Sequence, residues 1–190
     1  MEAAIKLGEI YGSEHVVLHT RPRKLGLGTA YVFGLQFTSG DFVIIMDADL
    51  SHDPRFLVQF IEAQRSSNCD IVTGSRYCGP GGGVSGWGLL RKTISIVANF
   101  VTQVTLRPGV SDITGSYRLY KKAVLVDLVS KVQSKGFSFQ MEIAVRARRQ
   151  NFTFPEVPIA FIDRLYGDSK MGANEIFSFL KGIVTLFFTV

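Results

Sequence analysis

Two carboxylates stand two positions apart in Asp47-Ala48-Asp49, directly behind the apolar run Phe42-Val43-Ile44-Ile45-Met46. In an extended turn, residues i and i+2 project to the same side, so Asp47 and Asp49 can converge on one cation. Hard carboxylate oxygens suit Mg²⁺ or Mn²⁺, with the remaining coordination positions left for water and a diphosphate. A cation held there neutralises a leaving diphosphate electrostatically. Asp-x-Asp after a strand is also ordinary turn chemistry. The metal reading is favoured by the position of the pair, between a strand and a helix opened by Pro54.

Cations gather at the same predicted sheet edge. Arg76, in Thr73-Gly74-Ser75-Arg76-Tyr77, ends the next strand, and its planar fork suits bidentate contact with phosphate oxygens. As a plain surface cation it would have no such role. Arg91 and Ser95 open a helix four positions apart, hence on one face. The pair could grip a second phosphate, and a solvated helix start accounts for it equally well. Arg164 and Lys170 bracket the turn in Asp163-Arg164-Leu165-Tyr166-Gly167-Asp168-Ser169-Lys170 and could close over an anion. Cys78-Gly79-Pro80-Gly81-Gly82-Gly83 reads as a mobile lid. It lacks the lysine and Ser/Thr of a P-loop, and Gly26-x-Gly28 lacks the third glycine of a dinucleotide fingerprint.

The elements that must position these residues follow from the apolar pattern. Residues 1–11 suit a helix, His15 to His19 a short strand, and Leu27 to Phe37 a second helix. Phe42 to Met46 is a continuous β-branched run, as expected of a strand buried on both faces. Pro54 to Gln64 reads as a helix with Asp53 at its N-cap, and Ile71 to Gly74 as the next strand. Strand–helix–strand alternation with short connections predicts an α/β class with a parallel sheet covered on both faces. The chain opens on a helix rather than on the strand that normally begins such a sheet.

Length and composition narrow the function. At 190 residues the chain supports one domain with a real core, here taken as residues 1–190. A hydrophobic fraction of 46% with 15 Phe excludes a disordered chain. Cys69 and Cys78 cannot form a disulfide framework, which points to a reducing compartment. Residues 1–60 hold 5 basic and 7 acidic side chains, residues 61–190 hold 16 and 9. The later part therefore expects an anionic partner. Nucleic acid is the weak candidate, because the cations are spread over sheet-edge turns with no stacking motif among them. The N-terminus is not a signal peptide, so the sequon Asn151-Phe152-Thr153 is expected to go unused. No run reaches the ~18–20 apolar residues of a membrane span. Residues 171–190 predict an amphipathic or half-buried helix, with Phe177, Leu180, Ile183, Val184 and Phe187 offering an apolar surface.

Taken jointly, several strings resemble the catalytic subunits of the dolichol-phosphate mannosyltransferase family. They are Lys24 to Tyr31, Ile45 to His52, Gly74-Ser75-Arg76-Tyr77, Asp112-Ile113-Thr114-Gly115-Ser116-Tyr117-Arg118-Leu119-Tyr120 and Asp163 to Lys170, in preserved order from about Ile10 to Val190. The resemblance implies an inverting family-two glycosyltransferase of GT-A fold, with a Rossmann-like, mostly parallel sheet. Its reaction would move mannose from GDP-mannose to dolichyl phosphate, feeding glycosylation and GPI-anchor pathways. It would work at the cytosolic face of the endoplasmic reticulum membrane, as a peripheral protein held by small membrane-anchoring subunits. Carried over by position, Asp47 and Asp49 match the metal and sugar-nucleotide aspartates, with the Ala48 backbone between them. Arg76, Arg164 and Lys170 match donor-site cations, and Arg91 and Ser95 match residues that hold the acceptor phosphate. Ser51 stands where some relatives carry a metal-binding Gln, so the resemblance implies that water completes the coordination here.

The departure from the family lies at the N-terminus. The first strand–helix–strand unit, which the resemblance assigns to guanosine recognition, has no counterpart here, and the chain reads as starting inside the second helix. Competing readings are therefore a catalytically silent form that binds diphosphate or partner subunits, and a polyprenyl-phosphate transferase using another sugar nucleotide. The acceptor phosphate is already an anion at neutral pH, so no general base is needed, in keeping with the lack of a suitable histidine among His15, His19 and His52.

Overall fold

The computed structural model describes residues 2–136, 138–163 and 173–190. In chain order the elements are α1 (Glu2–Tyr11), α2 (Leu27–Leu35), β1 (Phe42–Ile45), α3 (Phe56–Ser67), β2 (Ile71–Ser75), β3 (Gly83–Ser85), α4 (Leu89–Leu106), β4 (Arg118–Lys121), α5 (Lys122–Lys131), α6 (Ser138–Arg149), β5 (Glu156–Pro158), β6 (Ala160–Ile162) and α7 (Ala173–Thr189). The α/β expectation holds, and the sheet is mixed rather than parallel. Its order is β1-β4-β2-β5, with β4 antiparallel to both β1 and β2, and β5 parallel to β2. Strands β1, β2 and β5 therefore share a direction, and β4 is inserted against them. A separate two-stranded ladder pairs β3 with β6 in parallel, so Gly83 belongs to a strand and not to a free lid.

The period-2 alternation of the strands sorts the core into layers. Ile71 and Tyr120 face one side, where they meet Leu125 and Leu128 of α5 and Phe139 and Ile143 of α6, with Tyr31 and Leu35 of α2 against them. Val72 and Leu119 face the other side and pack with Phe60 of α3. A third cluster, away from the sheet, joins Leu106, Ile113, Met141, Val145, Ile183 and Leu186, so α6 is shared between two layers. Each such side chain taken out of water stabilises the fold by roughly 1.5–3 kcal/mol.

Three local expectations need correction. The strand buried on both faces is β2, whose five residues are all buried. Strand β1 is an edge with Phe42 47% and Ile44 37% exposed, because β4 is its one partner among the described residues. Residues His15 to His19 form a turn and an irregular segment, not a strand. Gly12 ends α1, Val16 N–H donates to its carbonyl, and His19 stacks on Phe37 of the α2 side at 3.6 Å. Helix α3 begins at Phe56, two positions after Pro54, since the Asp53 carboxylate accepts from the Arg55 N–H at 2.9 Å and pairs with its guanidinium, closing a turn ahead of the helix. At the start of α2, Gly26 adopts φ +103° with the Lys135 carbonyl so close that a Cβ would collide with it. Helix α1 buries none of its residues.

Candidate active site

The strands β1 and β2 deliver two different ends to one edge of the sheet. Behind β1, the acidic turn is shaped by its own side chains. Leu50 takes the left-handed φ of 65°, and Asp49 Oδ1 accepts from the Ser51 N–H at 3.2 Å and the Ser51 hydroxyl at 2.5 Å. The Asp47 N–H donates to His52 Nδ1 at 3.1 Å. The His52 ring is buried, stacked on Tyr117 at 4.8 Å and edge-on to Phe161 at 5.5 Å. Burial holds its imidazole below the ordinary value, against the pull of Asp47 and Asp49. The turn is thus held through the buried His52 ring, and its Ser51 carbonyl accepts from the Ile162 N–H of β6 at 3.3 Å.

Behind β2, Arg76 is fixed far more firmly. Its Nε and one terminal nitrogen meet the two oxygens of Asp112 at 2.6 and 2.7 Å, and the same nitrogen reaches Thr114 Oγ1 at 2.5 Å. Burial alone would push the Asp112 carboxyl up, and the adjacent Arg76 outweighs it and holds the carboxyl below its usual range. The guanidinium is 7% exposed and boxed by the rings of Tyr77, Trp87 and Phe161 at 5.1–5.4 Å. Its fork is committed to a carboxylate, so Arg76 serves as the fixed centre of the cation cluster rather than as an open phosphate fork.

The first turns of α4 complete the arrangement. Arg91 lies over the Trp87 ring at 4.0 Å and donates to Asp163 at 2.9 Å. Ser95 is buried and accepts from the Tyr77 hydroxyl at 2.7 Å. Phe161 touches His52, Arg76 and Trp87 at once. Asp47, Asp49, Arg76, Arg91 and Ser95 are therefore gathered around a single aromatic cluster, with the Ala48 backbone exposed between the two aspartates. Trp87 Nε1 and Arg91 Nε are buried without acceptors among the described residues. Unsatisfied buried donors are costly, and these two lie side by side, with Arg91 over the Trp87 ring. Beside it, a mostly apolar cavity of about 610 Å³ runs along α4 between Tyr77, Ile96, Phe100 and Val110.

Arg164 and Lys170 lie outside the described residues. Residues missed at the level of sequence are Asp112, His52 as a ring that holds the turn, Trp87 and Phe161. Asp112 lies 36 positions from Arg76 with no local pattern to pair them, and the single Trp of the chain, two positions before α4, is the compositional cue to the cluster.

The donor set fits a cation shared with substrate better than one caged by protein. Among the described residues no group of three or more His, Cys, Asp or Glu side chains gathers at one point, and Mg²⁺-like ions are commonly held by one or two carboxylates plus substrate phosphates. The sequence of residues 3–129 matches the model for "Glycosyl transferase family 2". The chain belongs to this family. It is 41% identical over 165 residues to polyprenol monophosphomannose synthase of Mycolicibacterium smegmatis, covering 84% of this chain and 61% of that protein. It is 39% identical over 163 residues to undecaprenyl-phosphate mannosyltransferase of Micrococcus luteus, covering 83% and 65%. The chain thus spans a little under two thirds of the length of these curated bacterial relatives. Its fold is similar to that of glucosyl-3-phosphoglycerate synthase from Mycobacterium tuberculosis, with a TM-score of 0.60 at 14% identity over 90% of this chain and 55% of that one. The same protein has been crystallised with Mn²⁺, UDP and glucosyl-3-phosphoglycerate, a structure that matches at TM-score 0.59 and 14% identity over 89% and 55%.

Proposed function

We propose that the chain transfers mannose from GDP-mannose to a polyprenyl phosphate, dolichyl phosphate, with inversion at the anomeric carbon. The observation that carries this reading is the juxtaposition of an acidic turn with a cluster of cations and unsatisfied N–H donors at one sheet edge. One side suits a metal-bound diphosphate and the other an anionic acceptor. A divalent cation bound between Asp47 and Asp49 would take up charge on the departing nucleoside diphosphate. Arg91 and the Trp87 N–H would hold the acceptor phosphate, with Ser95 and Tyr77 closing the floor beneath it. The acceptor oxygen is already ionised, so positioning and charge stabilisation suffice. His52 fits this account as a holder of the turn, since its Nδ1 is occupied as an acceptor. Arg164 and Lys170 would add positive charge on the donor side.

The lipid side is supported by α4, whose polarity is inverted. It turns Ser95, Asn99 and Thr102 toward the protein, where Asn99 accepts from the Ile113 N–H at 2.8 Å, and turns Leu90, Ile96, Val97, Phe100 and Val104 outward. Helix α7, packed beside it, exposes Phe177, Leu180, Val184 and Phe187. Such a continuous apolar face suits a bilayer surface, and no helix among the described residues is long and apolar enough to cross one. The membrane would be that of the endoplasmic reticulum, with small anchoring subunits as partners. A silent, partner-binding form is the second reading, favoured by the exposed edge of β1 among the described residues.

The test is transfer of labelled mannose from GDP-mannose into dolichyl phosphate by this 190-residue chain with Mn²⁺ and anchoring subunits. Chelation should abolish lipid-linked product, and excess UDP-glucose should leave it unchanged. Folded protein that gives no product would establish the silent form, and inhibition by UDP-glucose would overturn the donor assignment.

A further inference from the structure

At the far end of α4 from Arg91, a second recess of about 650 Å³ opens between the C-terminal ends of α4, α6 and α7. Arg107, Arg148 and Arg149 line it, with Val104 and Phe187 on its apolar side. At 1.5 Å per residue, Arg107 lies about 24 Å along the helix from Arg91, so the recess is separate from the candidate active site. Among the described residues the ion pairs formed by arginine use Arg55, Arg76, Arg91 and Arg146, and none uses these three. Cations do complement helix C-termini, which explains one arginine at each helix end. It does not explain why three converge on one concavity without a carboxylate.

The backbone around the recess carries two left-handed residues. Arg107 closes α4 in the left-handed region at φ 48°, and Asn151 on the same wall lies at φ 59°. Helices that end in this conformation usually place Gly there, and a long β-substituted side chain is disfavoured. Arg148 is laid across Gly109, whose absent Cβ would stand 3.3 Å from the arginine Cδ and Nε. A larger residue at Gly109 would therefore crowd the Arg148 side chain at the wall of the recess.

The surroundings identify the occupant. The recess borders the outward apolar face of α4 and α7, ending in Val104, Phe187 and Phe188, the last 80% exposed. Basic groups at the margin of an apolar surface match an anionic headgroup whose acyl chains continue along that surface. A single-stranded nucleic acid needs a run of stacking rings beside its phosphates, and this face continues instead as Val97, Leu180 and Val184. We propose that the Arg107–Arg148–Arg149 recess binds the phosphate headgroup of an anionic phospholipid and so seats the α4–α7 face on a negatively charged bilayer. The assignment names the lipid that this surface meets and does not require the transferase reading.

Flotation of the purified full chain with vesicles tests it, using phosphatidylcholine alone or with about one third phosphatidylglycerol. Wild type should partition to the anionic vesicles. The triple variant Arg107→Gln, Arg148→Gln, Arg149→Gln should lose on the order of 100-fold, from roughly fivefold for each basic residue, and its binding to neutral vesicles should not change. The lysine counterpart at all three positions should keep most of the anionic preference. Equal binding of wild type to the two vesicle types overturns the proposal, and that comparison needs no variant to fold. So does a glutamine variant that floats like wild type, tight binding of inorganic phosphate with no vesicle preference, or retention on single-stranded RNA that replaces the vesicle preference. Mannose transfer is not read in any of these arms, so the proposal can fail with the transferase reading intact.

Discussion

Strands β1 and β2 run in the same direction and end at the same edge, yet they prepare that edge in opposite ways. β2 has a neighbour on each side and all five residues buried. The arginine it delivers is fixed by a bidentate carboxylate, a threonine and three rings. β1 is an exposed edge, and the acidic turn behind it is closed by the Asp47–His52 bond and meets β6 through the bridge of His52 to Phe161 and the Ile162 N–H to Ser51 carbonyl bond. The cation side is built around a buried ion pair, whereas the carboxylate side is a turn shaped by bonds among its own residues. This division suits the proposed site, in which Arg76 would be a fixed support and Arg91 beside it would meet the acceptor phosphate.

The comparison breaks first if Arg76 is not held as rigidly as its partners imply. Asp112→Ala leaves a guanidinium buried without its counter-ion, and losses of this kind run to about 3–5 kcal/mol. Urea unfolding at neutral pH should show a loss of that size. The exposed pair Lys131–Asp127 provides the contrast, because Lys131→Ala removes a contact of a kind typically worth under about 1 kcal/mol. A loss at Asp112 as small as the one at Lys131 would show that the Asp112 pair is not structural. The pH dependence has a definite sign. A carboxyl whose folded pKa lies below its unfolded value contributes fully above its ordinary range near about 4, and that contribution fades as pH falls through the lowered folded value. Wild type should therefore lose stability on acidification below that range, and Asp112→Asn should show a shallower slope.

At the other strand end, Asp49→Ala should remove transfer by on the order of 100-fold or more, the size expected when a charge-stabilising group is lost. Stability should fall by far less than at Asp112, on the order of the 1 kcal/mol typical of a hydrogen bond such as those its Oδ1 accepts from Ser51. The two variants thus separate along the two strands, one in unfolding and one in turnover. Retention of most activity by Asp49→Ala would end the metal assignment.

How much of this was legible in the sequence depends on the range of the interaction. The acidic turn and the helix-borne pair Arg91 and Ser95 are local patterns, and they fall where spacing places them. Arg76 was legible as a cation at a strand end, but its partner Asp112 is 36 positions away, and nothing in the local pattern of either residue encodes the pairing. Strand direction was hidden for the same reason. β4 enters between β1 and β2 from a point 43 residues after β2 begins to turn away at Ser75, so the early strand–helix–strand alternation reads as parallel although β4 reverses it. The burial of β1 was misjudged because an apolar run reports what a strand prefers and not how many neighbours it has. The inverted face of α4 is visible only when the buried side, polar at Ser95, Asn99 and Thr102, is known.

The finest test of the comparison concerns His52, which links the two strand ends through Tyr117 and Phe161. The Asp47 N–H donates to Nδ1 of this ring, and a side-chain amide can replace either ring nitrogen according to its length. The carbonyl of Asn lies near the position of Nδ1, and that of Gln near the position of Nε2. If the acceptor at Nδ1 orients the acidic turn, His52→Asn should keep most of the affinity for Mn²⁺ and most of kcat/KM. His52→Gln should lose about one hydrogen bond's worth, about 1 kcal/mol or roughly fivefold. Both variants forfeit the ring stack on Tyr117, so their stabilities should fall together while their metal affinities part. Equal metal affinities in the two variants would mean that packing of the ring, and not its nitrogen, sets the turn. The acidic side would then be as rigidly built as the cation side, and the contrast between the strand ends would disappear.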